Sequence, residues 1–385
     1  MKFGLLINRG ASNLGDDIQS YAESLFLPKI DYLVDREFIS DFKPKKEDEI
    51  VATIMGAWWT RHKWHFPPPK NIYPLWISMH LTNFGPEHIG TPVYDEFLQG
   101  IGAKHMKAYG PVGTRDMATL KAFEKLDIPA YFSGCVTLTL PKQKVKKQEK
   151  DYILLVDLDK RVEKKLRQQL KGKDIEIKKI SNQRESRRTP EQMDDWEFRE
   201  KETIELLEMY QNAKCVVTRR LHVALPCLAM EVPVLCVHYP KNIRFGPYNE
   251  WLHMVKPEDF LKDKYDYDFL NPKPNKKDYL EYRKKLTKQM KDFVAMAKKD
   301  NRPIDKVAKT TYTDEEVYRW QYDLMKFALN KWLPASIKMS KELIKHKREN
   351  PEKIQKRLYP EQNGSLYLKA RRLTGRILRK LGLRS

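Results

Sequence analysis

Cysteine is scarce in this chain. The four present, Cys135, Cys215, Cys227 and Cys236, form no Cys-x-x-Cys pair. That excludes a zinc ribbon and a disulfide-dense secreted scaffold. Three sit in apolar runs, where a free thiol packs as a small hydrophobe. Long hydrophobic runs are missing as well. No stretch approaches the roughly 20 apolar residues of a membrane-spanning helix. The opening run Lys2–Ile7 is too short for a signal-peptide core and is followed by Arg9 and the acidic pair Asp16-Asp17. It reads as a buried strand, and the body of the protein is expected in the cytoplasm with reduced thiols. Acidic residues are outnumbered, 52 against 73 Lys and Arg, for a net charge of +21. An acidic disordered chain is thereby excluded, and an anionic partner is expected.

At about 150 residues per domain, 385 residues predict two domains and an extension. Strands alternate with helices through residues 1–145. They do so again through 150–260, across a polar, charged linker at residues 142–148. The first half reads as a strand at 2–7, a helix at 17–27, strands at 49–55 and 76–79, a helix at 115–126 and a strand at 130–133. The second half reads as strands at 152–157, 174–179, 215–218 and 234–237, with helices at 160–170, 201–211 and 221–230. Residues 182–199 read as a long polar loop. This order implies parallel sheets, and such sheets bind ligands at the carboxyl ends of their strands. Beyond residue 275 the chain is helical and charge-rich, giving a basic extension over 275–385. Residues 336–385 hold 15 Lys or Arg and 4 Asp or Glu. Apolar positions 366, 370, 373, 377 and 381 fall on one helical stripe, and no acid follows Gly364. A basic amphipathic helix over 364–385 suits an anionic membrane surface.

Three segments can carry chemistry. Asn13-Leu14-Gly15-Asp16-Asp17 follows the first strand and exposes backbone N–H groups at a helix start, without the spacing of a dinucleotide or Walker loop. Its two acids repel phosphate and favour sugar hydroxyls. Gly113-Thr114-Arg115-Asp116 sets an Arg at a helix opening, an anion site unless Asp116 simply pairs with it. In Thr218-Arg219-Arg220-Leu221-His222 an apolar strand ends in Arg and His at the start of an almost wholly apolar helix. Low-polarity surroundings strengthen such charges, and a His switches protonation near neutral pH. Lys241, past the next strand, adds a cation. His62 and His65 lie in a loop of Trp and Pro with no third ligand in view, so no metal site is expected. His80, at a strand end, is a further candidate.

The Asn-x-Gly-Asp-Asp loop (Asn13 to Asp17), the Gly-x-Arg-Asp turn (Gly113 to Asp116) and the Arg-Leu-His block with Pro233 and Lys241 fall in one order. In that order the chain resembles the polysaccharide pyruvyl transferases over residues 1–260. Where many relatives have an Asp, this chain reads Ser133-Gly134-Cys135. The resemblance implies two Rossmann-like domains facing a cleft, as in GT-B glycosyltransferases, with the donor site in the second. It also implies transfer of pyruvate from phosphoenolpyruvate to two hydroxyls of one sugar, forming a cyclic ketal and releasing phosphate, with no cofactor. In that scheme Arg115, Arg220 and Lys241 bind phosphoenolpyruvate, Arg being the preferred bidentate partner of carboxylate and phosphate. His222 is the general acid, with Arg220 beside it. Asn13, Asp16 and Asp17 hold the saccharide acceptor. Arg219 competes with Arg220 for the cleft, and the Arg-Leu-His triplet favours Arg220. The basic tail fits a lipid-linked acceptor at the inner face of the membrane. Two other readings share parts of this pattern: a glycosyltransferase that uses a nucleotide sugar, and a basic adaptor for membranes or nucleic acid. The absence of an RNA-binding signature or zinc finger weighs against nucleic acid.

Overall fold

The computed structural model describes residues 1–59, 65–81, 98, 100–145, 150–239, 244–310, 312–326 and 330. Met1–Gln321 form one compact unit. A second begins at Tyr322, of which only 322–326 and 330 are described. The expected tail helix at 364–385 therefore lies outside the described residues, as do Lys241 and His62.

The first half of the larger unit runs β1 (Lys2–Ile7), α1 (Leu14–Ser24), β2 (Tyr32–Asp35), β3 (Val51–Ile54), β4 (Trp58–Trp59), β5 (Ile72–Leu75), β6 (His80–Leu81), α2 (Ile101–Ala108), β7 (Val112–Thr114), α3 (Met117–Glu124) and β8 (Ala130–Phe132). The second runs β9 (Tyr152–Val156), α4 (Lys160–Gln169), β10 (Glu176–Ile180), α5 (Pro190–Asp194), α6 (Trp196–Gln211), β11 (Cys215–Thr218), α7 (Leu221–Ala229), β12 (Val234–Val237), β13 (His253–Val255) and α8 (Pro257–Leu261). Helices α9 (Leu280–Lys299) and α10 (Ile304–Val307) follow.

Among the described residues, one sheet has the order β2-β1-β3-β5 and the other β10-β9-β11-β12-β13, and every pairing is parallel. The fold is thus the α/β class with parallel sheets that the alternating pattern predicts. In both sheets the first strand sits between the second and the third, so the order reverses beside β1 and beside β9. Ligand crevices of open parallel sheets form at such reversals. Strands β9, β11 and β12 are buried along their whole length, which is why they read as continuous apolar runs rather than alternating ones.

One strand departs from its expected place. The sheet uses β5 at Ile72–Leu75 instead of residues 76–79. Pro74 disguised it, and it is tolerated because β5 is an edge strand. Segment 182–199 is also not wholly a loop. Thr189 and Gln192 close a capping box over α5, and Asp195 caps α6. The helical segment past residue 275 begins as a core element. Leu286, Met290 and Phe293 of α9 join a cluster with Ile18 of α1, Val136 and Val223 of α7, and Phe293 stacks on Tyr73 at 5.9 Å.

The two halves are also joined by charge. Asp17, fully buried, accepts from Arg188 Nη2 at 2.7 Å and Arg199 Nε at 3.0 Å. Arg199 also donates to the carbonyls of Asn8 and Met193. Breaking a buried ion pair by removing one partner leaves an uncompensated charge. Asp17→Ala should therefore lower stability by about 3–5 kcal/mol in chemical denaturation, and a loss below about 1 kcal/mol would contradict this role.

Candidate active site

The site lies where both sheets reverse. Asn8 and α1 follow β1, Asp157 follows β9, and Arg219, Arg220 and His222 follow β11. The turn after β7 brings Arg115 and Asp116 to the same place.

Arg115 is fixed at its backbone. Its N–H donates to Met79 O at 2.9 Å, and its carbonyl accepts from Tyr248 Oη at 2.5 Å. Only 1% of the residue is exposed. Its Nη1 lies 3.2 Å from His222 Nε2 and 3.4 Å from Gln19 Oε1. Its Nη2 is buried with no hydrogen-bond partner. A guanidinium only donates, so His222 Nε2 is an acceptor and the ring proton sits on Nδ1. Burial pushes the His222 pKa well below its ordinary value, and the charges of Arg115, Arg244 and Arg36 push the same way. The imidazole is therefore neutral at pH 7. Gly15 lets α1 approach this ring, since a Cβ there would stand 2.9 Å from His222 Cβ. The thiol of Cys135 lies 3.9 Å from the same Nε2 and accepts from Thr137 Oγ1 at 3.2 Å.

His80 and Asp116 form a second pair. His80 Nδ1 is 2.6 Å from Asp116 Oδ2, with both side chains buried. Asp116 also caps α3, accepting from the N–H and hydroxyl of Thr119 at 2.9 Å. With the carboxylate accepting from Nδ1–H, Nε2 carries the ring's lone pair, and that atom is buried without a partner. Burial lowers the His80 pKa to about 4 despite Asp116. Trp58 lies 5.9 Å from the His80 ring, and the Arg244 guanidinium lies 5.4 Å from the Trp58 ring centre. Burial, then Arg115 and Arg220, lower the Arg244 pKa to about 10. It remains charged at neutral pH.

The residues expected from the sequence fall into three groups. Arg115, His222 and His80 come together. Arg220 caps α7 and donates from Nε to Asp157 Oδ2 at 3.0 Å, half-buried and close enough to depress Arg244. Arg219 is exposed, and its charge helps burial and Arg244 to lower the His238 pKa. The third group, expected to hold an acceptor, is already engaged in the framework. Both oxygens of Asp17 meet arginines, Arg188 and Arg199. Asp16 is likewise engaged, by Arg36 at 3.2 Å and Asn8 at 3.4 Å. Asn13 caps α1, accepting from Gly15 N–H at 3.2 Å. All three make framework contacts. His65 pairs with Asp41 at 3.3 Å.

Sequence reasoning missed Arg36, Arg188, Arg199 and Arg244, and it read Asp116 only as a partner for Arg115. Arg36 could have been found, since it directly follows the short strand β2. Arg188 and Arg199 flank the capping signal Thr189-Pro190-x-Gln192.

The sequence profile of the polysaccharide pyruvyl transferase family matches residues 13–241, more than half of the chain. No curated protein matches it. Among solved structures, an uncharacterised Klebsiella pneumoniae protein is 11% identical, covering 66% of this chain and 93% of its own, with a TM-score of 0.36. A Methanocaldococcus jannaschii UDP-GlcNAc 2-epimerase is 12% identical, covering 85% and 100%, with a TM-score of 0.36. The S. aureus protein MnaA is 9% identical, covering 86% and 97%, also at 0.36. Among the described residues no helix is long and apolar enough to cross a membrane.

Buried neutral histidines tie stability to pH. His105, packed on Trp76 and Phe66 with Nδ1 2.8 Å from Tyr312 Oη, is lowered by burial to about 3. The unfolded chain takes protons on such rings below pH ~6.5, while the folded chain does not until far lower. Stability is therefore full above that pH and falls as pH drops toward the folded values, by about 2 kcal/mol per ring at pH 5. Glu23 acts with the opposite sign. Burial raises its pKa, so its share is lost as pH rises. His105→Gln should flatten the stability profile between pH 7 and 5 by about 2 kcal/mol in urea titrations. Parallel profiles for variant and parent would contradict the neutral buried ring.

Proposed function

The chain belongs to the polysaccharide pyruvyl transferase family, and from that premise we propose that it takes pyruvate from phosphoenolpyruvate and sets it on two hydroxyls of one sugar. The product is a cyclic ketal, and phosphate is released. The observation that carries this reading is the buried, unpartnered Nη2 of Arg115 beside a neutral His222. A buried N–H donor without a partner is costly, and a carboxylate or phosphate oxygen is the ligand a guanidinium satisfies best.

Phosphoenolpyruvate carries two anionic groups. Arg115 and Arg220 take one each, Lys241 supports the phosphate, and Arg244 adds charge from the Trp58 side. The arriving anion offsets the cations that add to burial in keeping His222 neutral. The imidazole then accepts a proton and can deliver it to the methylene carbon C3. C2 becomes electron-poor and open to nucleophiles, and a sugar hydroxyl comes to be bonded there. His80 Nε2, oriented by Asp116, receives the hydroxyl proton as general base. The second hydroxyl displaces phosphate. Of the two hydroxyl protons, one is balanced by the proton gained at C3 and the other by the proton that leaves on phosphate. Trp58 offers a ring face on which the saccharide stacks. The basic segment 364–385 holds the enzyme at the anionic inner face of a membrane, where a lipid-linked acceptor is within reach.

Calorimetry on the full chain tests the donor site before an acceptor is known. Phosphoenolpyruvate should bind saturably, and uridine diphosphate should not. Arg115→Met and Arg220→Ala should each weaken binding at least about tenfold, the loss of a charge-assisted contact worth ~1.5–3 kcal/mol. Binding of the nucleotide in preference would replace this reading with glycosyl transfer.

A further inference from the structure

A thiol stands beside the neutral His222, on the ring nitrogen that also meets Arg115. Cys135 Sγ is 3.9 Å from His222 Nε2, and the pair is buried, with Cys135 at 0% and His222 at 6% exposure. Two independent features mark this spot as built for a ligand. The Arg115 guanidinium that touches the same Nε2 keeps an unpartnered, buried Nη2. The Glu23 carboxyl, whose pKa burial raises with help from Cys135, keeps an unpartnered, buried Oε2. The other three cysteines differ. Cys215 and Cys236 lie in β11 and β12 and Cys227 in α7. Cys135 instead caps the short turn Val136–Thr139. Gly134, at φ +79°, reverses the chain after β8 and turns Cys135 inward, a conformation few other residues adopt.

Resting on the phosphoenolpyruvate reading, we infer that Cys135 is a covalent nucleophile: its sulfur adds to C2 of phosphoenolpyruvate while its proton passes through His222 Nε2 to C3. The S–H bond breaks and the S–C2 bond forms. The C2=C3 π pair takes the proton, so C3 becomes a methyl group. Nothing else is consumed, and phosphate stays attached to C2. A sugar hydroxyl then displaces the sulfur, returning a proton to the thiol, and the second hydroxyl displaces phosphate. A thiol paired with an imidazole is an activated nucleophile, and dividing one substitution into two shortens each barrier.

The addition needs no acceptor, so it can be read directly. The full chain is incubated with phosphoenolpyruvate alone, denatured, weighed intact by mass spectrometry and mapped after proteolysis. Binding is followed by calorimetry on the same sample. The inference expects a gain of one whole phosphoenolpyruvate, located on Cys135, and no gain in Cys135→Ser. Binding without a mass gain, or a gain that persists in Cys135→Ser, overturns the covalent step and leaves the donor reading intact. Absence of binding overturns both.

Discussion

The rest of the site depends on one contact, the Arg115 guanidinium against the His222 imidazole. It crosses between the two halves of the protein, and water is excluded from it. Arg115 comes from the turn after β7 and His222 from the first turn of α7. The contact therefore depends on α1, whose Gln19 meets Arg115 and whose Gly15 meets the His222 side chain. It sets the His222 tautomer, holds the ring neutral and leaves the second guanidinium nitrogen without a partner. Each of these consequences follows from placing a permanent donor beside an imidazole in a low-dielectric setting.

Gathering cations in such a place is unfavourable, and the structure offsets it selectively. Asp16 answers Arg36, Asp17 answers Arg188 and Arg199, and Asp157 answers Arg220. Three of the acids next to the cleft are thus committed to specific arginines. Arg115 has no carboxylate within salt-bridge distance among the described residues, and its neighbour Arg244 has its pKa lowered. Charge is balanced in the framework and left positive at the centre. An anion site needs that asymmetry, because a fully neutralised cluster gains nothing from a ligand.

Much of this was legible in the sequence. Continuous apolar runs located β9, β11 and β12, and the confinement of Arg and His to the start of α7 singled out the ring that meets Arg115. What stayed hidden depends on partners distant in sequence. Asp16 and Asp17 read as free acids because the arginines that occupy them lie up to 182 residues away. Asp116 read as a neighbour for Arg115, whereas its position as the cap of α3 points it at His80. Pro74 concealed an edge strand, and the polar composition of 182–199 masked two helix caps. Local pattern fixes elements and candidate residues, while tertiary pairing decides which charges remain available.

The central claim is that His222 is held neutral by its surroundings and is charged by an arriving dianion. Nitrogen-15 NMR of labelled histidine in Cys135→Ser, which cannot form the covalent adduct, titrated across pH with and without phosphoenolpyruvate, tests it most directly. The account predicts a neutral ring protonated at Nδ1 at pH 7, becoming an imidazolium as phosphoenolpyruvate saturates the protein. A ring already charged at pH 7 alone, or one that stays neutral through saturation, would contradict it.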